Sequence, residues 1–186
     1  MSLFLLFADN PKKDLRPTLI GGYAQLTSAN KIIIPTLKTL IREKTAEFQS
    51  NPKVQLNLRL NDTPEDIEIP YSDKMIQRIL SNLINNAIEA IDEDGSIFID
   101  VQSKQNAILV SVIDFGKGIP PEVLSKLQKY EFQSHGKEHS HSSGTGIGLK
   151  SAFEELSKVG AKLHIESRIG IGTRIILEFP IQESSS

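Results

Sequence analysis

The segment Asp114-Phe-Gly-Lys-Gly118, followed further along by Gly144-Thr-Gly-Ile-Gly-Leu149, constrains this chain more than any other feature. Glycine lacks a Cβ, so each cluster permits a close backbone approach to a neighbour or a ligand. The first cluster closes a strand on a carboxylate, and the second opens a helix. Upstream of both, Asn82 and Asn86 lie one turn apart on an amphipathic helix. Each signal alone is weak. In this order they point to a nucleotide site.

The surrounding pattern supplies a scaffold. Ile32-Ile33-Ile34 reads as a short buried strand, and Pro35 as the first residue of a helix with Leu37, Leu40, Ile41, Lys44 and Phe48 on one stripe. Asn51-Pro52 ends that helix. Val54 to Leu60 alternates as a strand with Val54, Leu56, Leu58 and Leu60 on one face. A polar turn from Asn61 to Glu68 leads to Ser72, an N-cap for a helix reaching about Glu93, where Asp94-Gly95 stops it. Ile76, Ile79, Leu80, Leu83, Ile84, Ala87, Ile88 and Ile91 form its apolar face.

Ile97 to Ser103 and Ala107 to Ile113 then read as an antiparallel hairpin. Pro120-Pro121 opens a short helix, and Tyr130 to Ser143 has no periodicity and reads as a long loop. A helix from Ile147 to Val159 and strands Ala161 to Ser167 and Thr173 to Phe179, around Gly170-Ile171-Gly172, close the chain. The expected fold is α/β (α+β): a two-layer sandwich whose mixed, largely antiparallel sheet is covered on one face by helices. The expected domain runs from 31 to 181. Residues 1 to 30 read as a linker or the residual end of a preceding helix, and 182 to 186 as a frayed tail.

Composition narrows the function classes. A net charge of −2 with 24% charged residues argues against a basic nucleic-acid surface. The absence of cysteine excludes disulfides, thiolate nucleophiles and zinc-thiolate sites. The apolar run Leu3 to Ala8 is too short to span a bilayer. No direct membrane contact is expected of this segment. The expected compartment is the cytoplasm, whether or not a parent protein is anchored in a membrane.

The candidate chemistry rests on three groups. Arg78, Asn82, Asn86 and Glu89 recur at helical spacing on one stripe, where the neutral amide oxygen of Asn86 could bind a hard cation such as magnesium, or all four are simply solvated positions of an amphipathic helix. The Asp114 carboxylate can accept a hydrogen bond from an exocyclic amine, such as that of adenine, with Gly116 and Gly118 shaping the wall beside it. The same residues also fit a plain strand-to-helix turn. Gly144 to Gly148 precede a helix whose first amides suit a phosphate. The dinucleotide pattern fails on context, since it needs the cluster early in a strand-helix-strand unit with an acidic residue about 20 residues later, and the Walker pattern fails because no Gly-Lys-Ser/Thr follows the glycines. His135, His139 and His141 sit on a serine-rich loop without helical spacing, which favours solvation over a metal site.

These boxes resemble, in family order, the ATP-binding catalytic domains of sensor histidine kinases, the Bergerat-type fold shared with gyrase, MutL and the heat-shock chaperone ATPases. Asn82-Leu-Ile-Asn-Asn86-Ala-Ile-Glu-Ala resembles the N box, Asp114 to Ile119 the first glycine box, the stretch around Phe132 the phenylalanine box, and Gly144 to Leu149 the second glycine box. Gly170-Ile-Gly-Thr173 resembles the final glycine motif. The resemblance implies ATP and magnesium as cofactors, with Asn86 on magnesium, Asn82 at the phosphates or ion shell, and Asp114 reading adenine. Gly116, Gly118, Ile119 and Thr173 would shape that pocket. Gly144, Thr145, Gly146, Ile147, Gly148 and Leu149 would form the phosphate side of a lid from Tyr130 to Ser143, with Lys137 and Lys150 as phosphate contacts.

The implied function is transfer of the ATP γ-phosphate to a histidine on a dimerisation helix, and thence to a response regulator receiver domain. Two departures stand out. Tyr130-Glu-Phe-Gln-Ser134 is a poor phenylalanine box, and no histidine precedes His135, so the phosphoacceptor element is missing and this chain alone is not expected to autophosphorylate. The rivals are an ATPase clamp, a protein serine kinase with the same boxes, and a nucleotide-binding scaffold without transfer. A clamp of the gyrase type carries a glutamate one turn before the magnesium asparagine. Here that position is Asn82, which cannot act as a base.

Overall fold

The computed structural model describes residues 31–48, 54–69, 71–92, 94–133, 146–158 and 160–180. Five strands form one sheet in the order β2-β4-β5-β7-β6: β2 (Val54–Asn61), β4 (Gly95–Lys104), β5 (Ala107–Asp114), β7 (Gly172–Pro180) and β6 (Lys162–Arg168). The β2–β4 pair is parallel and the other three pairs are antiparallel. A separate ribbon pairs β1 (Lys31–Ile32) with β3 (Glu68–Ile69). The expected two-layer architecture and mixed sheet are what the chain adopts.

Alternation sorts the two faces. Ile97, Ile99 and Val101 of β4, Ile108, Val110 and Val112 of β5, and Ile175, Leu177 and Phe179 of β7 are all buried. Helices α1 (Ile33–Glu47), α2 (Asp73–Ala90) and α4 (Gly146–Lys158) join them in one core. The central helix, α2, contributes Ile76, Ile79, Leu80, Leu83, Ile84 and Ala87. Each fully buried Ile or Leu of such a stripe is worth about 1.5–3 kcal/mol of transfer free energy. The opposite face of the sheet carries charged pairs instead: Arg59 on Asp100 at 2.6 and 2.9 Å, Arg174 on Glu166 at 3.4 Å, and His164 and Lys162 on Glu178 at 3.1 and 3.5 Å.

Four local expectations are corrected. The strand read across Ile32 to Ile34 gives way to helix at Ile33, because Ile33, Ile34, Leu37 and Leu40 make one buried stripe. Pro35 therefore lies within the first turn, where its missing N–H costs nothing. Helix α2 begins after Ser72, whose hydroxyl accepts from the Met75 N–H at 3.3 Å, but it ends at Ala90 rather than near Glu93. Ile91 is already extended, and the Ala90 carbonyl accepts from the Lys117 N–H at 2.9 Å. A loop thus takes the carbonyl that a longer helix would have used.

The polar turn after Asn61 hides β3, only two residues long. Helix α3 (Pro121–Gln133) runs on past Lys129 into the expected loop, taking in Tyr130, Glu131, Phe132 and Gln133. A helix end needs only helix-compatible residues and no apolar stripe, so loss of periodicity sets its limit too early. The remainder of the expected loop, with His135, Lys137, His139 and His141, lies outside the described residues, as do residues 1–30 and 181–186.

Candidate nucleotide site

Asp114 is the last residue of β5 and continues its buried, even-numbered face, so the strand delivers a carboxylate to the edge of the core. It is only 6% exposed. Its Oδ1 accepts from the Gly116 N–H at 2.9 Å and the Thr173 N–H at 3.3 Å. Among the described residues Oδ2 accepts no hydrogen bond. Burial raises the carboxyl pKa above its ordinary 3.8, and the two backbone N–H bonds pull it partly back.

The loop after Asp114 is fitted backbone to backbone. A Cβ on Gly116 would overlap the Ala90 carbonyl, and one on Gly118 the Arg168 carbonyl. Gly118 also has φ +71, a conformation that disfavours any side chain. The Gly170 N–H donates to the Lys117 carbonyl at 2.9 Å, so the β6–β7 turn grips the loop from one side while α2 holds it from the other. A Cβ on Gly172 would overlap the Asp114 carbonyl.

Asn82 and Asn86 lie half-buried on α2, whose C-terminal Ala90 is the residue that touches this loop. The Asn86 Nδ2 and Asn85 Oδ1 atoms are buried without hydrogen-bond partners among the described residues. Arg78, on the same stripe, pairs with Glu155 of α4, and Glu89 is exposed. Helix α4 starts at Gly146, so Gly146, Ile147 and Gly148 belong to its first turn rather than preceding it, and Leu149 is buried in the core. Lys150 follows on the same helix. Lys137, Gly144 and Thr145 lie outside the described residues.

The structure therefore gathers Asp114, Gly116, Gly118, Ile119 and Thr173 at one end of the sheet beside the end of α2. Ser167, absent from the sequence-derived set, joins them: its hydroxyl is 2.8 Å from the Ile119 N and 2.9 Å from the Thr173 hydroxyl. A signal for it exists in the sequence. Ser167 is a polar residue at an inward position of a strand whose other inward residues are Leu163 and Ile165.

The profile of the family described as histidine kinase-, DNA gyrase B- and HSP90-like ATPase matches residues 71–183. The chain belongs to this family. It is 29% identical over 119 residues to the histidine protein kinase DivJ of Caulobacter vibrioides, covering 63% of this chain and 20% of that protein. It is 27% identical over 145 residues to sporulation kinase A of Bacillus subtilis, covering 77% and 23%. The catalytic domain of histidine kinase ThkA superposes with a TM-score of 0.59 at 28% identity, covering 78% of this chain and 92% of that one. Full-length ShkA in complex with AMPPNP has the same fold, with a TM-score of 0.68 at 17% identity, over 88% of this chain and 33% of that one. The chain spans about a fifth to a quarter of the length of DivJ, sporulation kinase A and the sensor histidine kinase YvrG of Bacillus subtilis. The domain is an ATP-binding catalytic domain of the sensor histidine kinase type. Among the described residues no helix is long and apolar enough to cross a membrane.

Proposed function

We propose that this domain binds magnesium-ATP against Asp114 and presents the γ-phosphate to a histidine on a dimerisation helix, with a response regulator receiver domain as the next acceptor. The observation that carries the reading is the Asp114 carboxylate, buried and fixed through Oδ1 while Oδ2 accepts nothing from the described residues. An ionised oxygen in that setting accepts from an exocyclic amine and repels a ring carbonyl. Gly116 and Gly118 let the adjoining loop pack backbone to backbone against Ala90 and Arg168.

The residues on α2 fit magnesium. A neutral amide supplies one hard oxygen, and phosphates and water supply the rest. Asn86 Nδ2 is buried without a hydrogen-bond partner among the described residues, a donor suited to a phosphate oxygen, while its Oδ1 is the atom that would face the ion. Asn86 would hold the ion, with Asn82 one turn away at the phosphates. When bound, the ion neutralises charge on the phosphate oxygens. The amides opening α4, from Gly146 onward, have no partner within their own helix and face an anion favourably, with Lys150 nearby in sequence. The domain's share of the transfer is positioning and charge stabilisation. Asn82 cannot deprotonate water, which favours transfer over hydrolysis. The base for an attacking imidazole would come from the partner helix.

Calorimetric titration with a non-hydrolysable ATP analogue and its guanine counterpart, each with and without magnesium, tests the binding half. Magnesium-strengthened binding of the adenine form alone is expected, and failure to bind either overturns the reading. Joined to a dimerisation helix bearing a histidine, the domain is expected to transfer label from γ-labelled ATP into an acid-labile phosphate. Release of free phosphate without protein labelling would favour the clamp instead.

A further inference from the structure

Ser167, Thr173 and Asp114 form one row across the site end of the sheet. Ser167 stands opposite Thr173 in the β6–β7 pair, and Thr173 opposite Asp114 in the β7–β5 pair. All three continue the helix-covered face. The Ser167 hydroxyl oxygen lies 2.8 Å from the Ile119 N, 3.0 Å from the Gly172 carbonyl oxygen and 2.9 Å from the Thr173 hydroxyl oxygen.

A hydroxyl has one proton and two lone pairs. The Ile119 N–H can only donate, so it occupies one lone pair of Ser167. The Gly172 carbonyl can only accept, so it takes the Ser167 proton. What remains for Thr173 is the second lone pair, and the Thr173 hydroxyl must donate to Ser167. Its own oxygen then presents lone pairs alone, beside a carboxylate that is also an acceptor.

We propose that Ser167 is a specificity-determining positioning residue. By fixing the direction of the Thr173 hydroxyl, it keeps the base-reading end of the pocket acceptor-only, which suits an exocyclic amine and disfavours a ring carbonyl. The inference rests on the adenine reading given above. Without Ser167, the Thr173 proton is free to turn toward the base and offer a carbonyl the donor it needs.

The test is calorimetry of the non-hydrolysable ATP and GTP analogues against the wild-type chain, Ser167→Ala, Thr173→Val and the double variant. Ser167→Ala is expected to lower the adenine-over-guanine affinity ratio about five- to tenfold, the worth of one ordinary hydrogen bond. In the Thr173→Val background the same change should leave the ratio where it is, because the hydroxyl it orients is gone. Ser167→Cys, a weaker donor and acceptor of similar shape, should fall between wild type and Ser167→Ala, and it carries the test if the alanine variant does not fold. Equal weakening of both nucleotides would overturn the proposal and leave Ser167 as a brace for Ile119. So would an undiminished effect in the Thr173→Val background. A wild-type chain without adenine preference would instead overturn the adenine reading, and this inference with it.

Discussion

Asp114 and Thr173 face each other across β5 and β7, and the Thr173 N–H donates to Asp114 Oδ1 at 3.3 Å. The sheet's own ladder thus aims the carboxylate that we assign to the base, with the Gly116 N–H as a second support. Asparagine keeps an oxygen for both N–H groups but replaces the second acceptor by an amide donor. Asp114→Asn is expected to weaken the adenine analogue about thirtyfold, corresponding to about 2 kcal/mol for a lost hydrogen bond to a charged group. Unchanged affinity by calorimetry would remove Asp114 from the base site.

The same variant makes a stability prediction of opposite sign. Burial raises the Asp114 pKa in the folded state, so folding favours the neutral acid. The stability from this group is complete below the unfolded carboxyl's pKa and is lost as pH rises through the folded one. Asp114→Asn carries no such charge. Its melting temperature should exceed that of wild type at neutral pH, and the difference should shrink as pH falls through the raised folded-state pKa and level off below the ordinary carboxylate value of 3.8. A difference that grows on acidification would contradict the burial argument.

Close backbone approach makes a separate prediction for the glycines. Gly118 combines φ +71 with a Cβ position that overlaps the Arg168 carbonyl. Gly118→Ala should cost about 2–4 kcal/mol in urea unfolding, strain and overlap together. Gly170 has the same φ but nothing within reach of a Cβ, so Gly170→Ala should cost only about 1 kcal/mol. Equal costs would mean that the loop's fit against β6 carries no weight.

Side chains make most of this fold legible. Alternation marks β2, β4, β5, β6 and β7, and the stripe from Ile76 to Ala87 marks α2 with its Ser72 cap. What they leave out is chiefly backbone contact. Nothing in the side chains around Ala90 announces that its carbonyl binds the Lys117 N–H, and so periodicity carries α2 too far. Two-residue β3 is too short to alternate. The glycines after Asp114 are legible as close approaches, but not what they approach: Ala90 on one side and Arg168 on the other. Ser167 is hard to recognise because a lone inward serine looks like an imperfection in an apolar strand.

Asn86→Ala tests the proposed ion site separately from the proposed base site. The substitution removes a buried Nδ2 without a described partner and introduces a better helix former, so stability should hold or rise by about 0.5 kcal/mol. Affinity for the adenine analogue without magnesium should be unchanged, while the gain on adding magnesium should fall about tenfold, the worth of one interaction with a charged group. Calorimetry with and without the ion, alongside a thermal melt, reads both. An undiminished magnesium gain would move the ion away from Asn86.

Arg59 and Asp100 provide the control on the far side of the sheet. Asp100 is 5% exposed and receives Arg59 through two hydrogen bonds, at 2.6 and 2.9 Å, while the guanidinium lies 4.0 Å from the Phe98 ring centre. Truncating the arginine strands a buried carboxylate. A fully buried pair would cost about 3–5 kcal/mol, and partial exposure of Arg59 brings the expected loss for Arg59→Ala to about 2 kcal/mol. Replacing Asp100 by asparagine in that background removes the stranded charge and should recover part of the loss. The site residues continue the helix-covered face, so adenine affinity should stay within about twofold of wild type as long as the variant is folded, about 0.4 kcal/mol at most. Loss of nucleotide binding in a folded Arg59→Ala domain would show that the charged face is coupled to the site, and would require the site's boundary to be redrawn through β4.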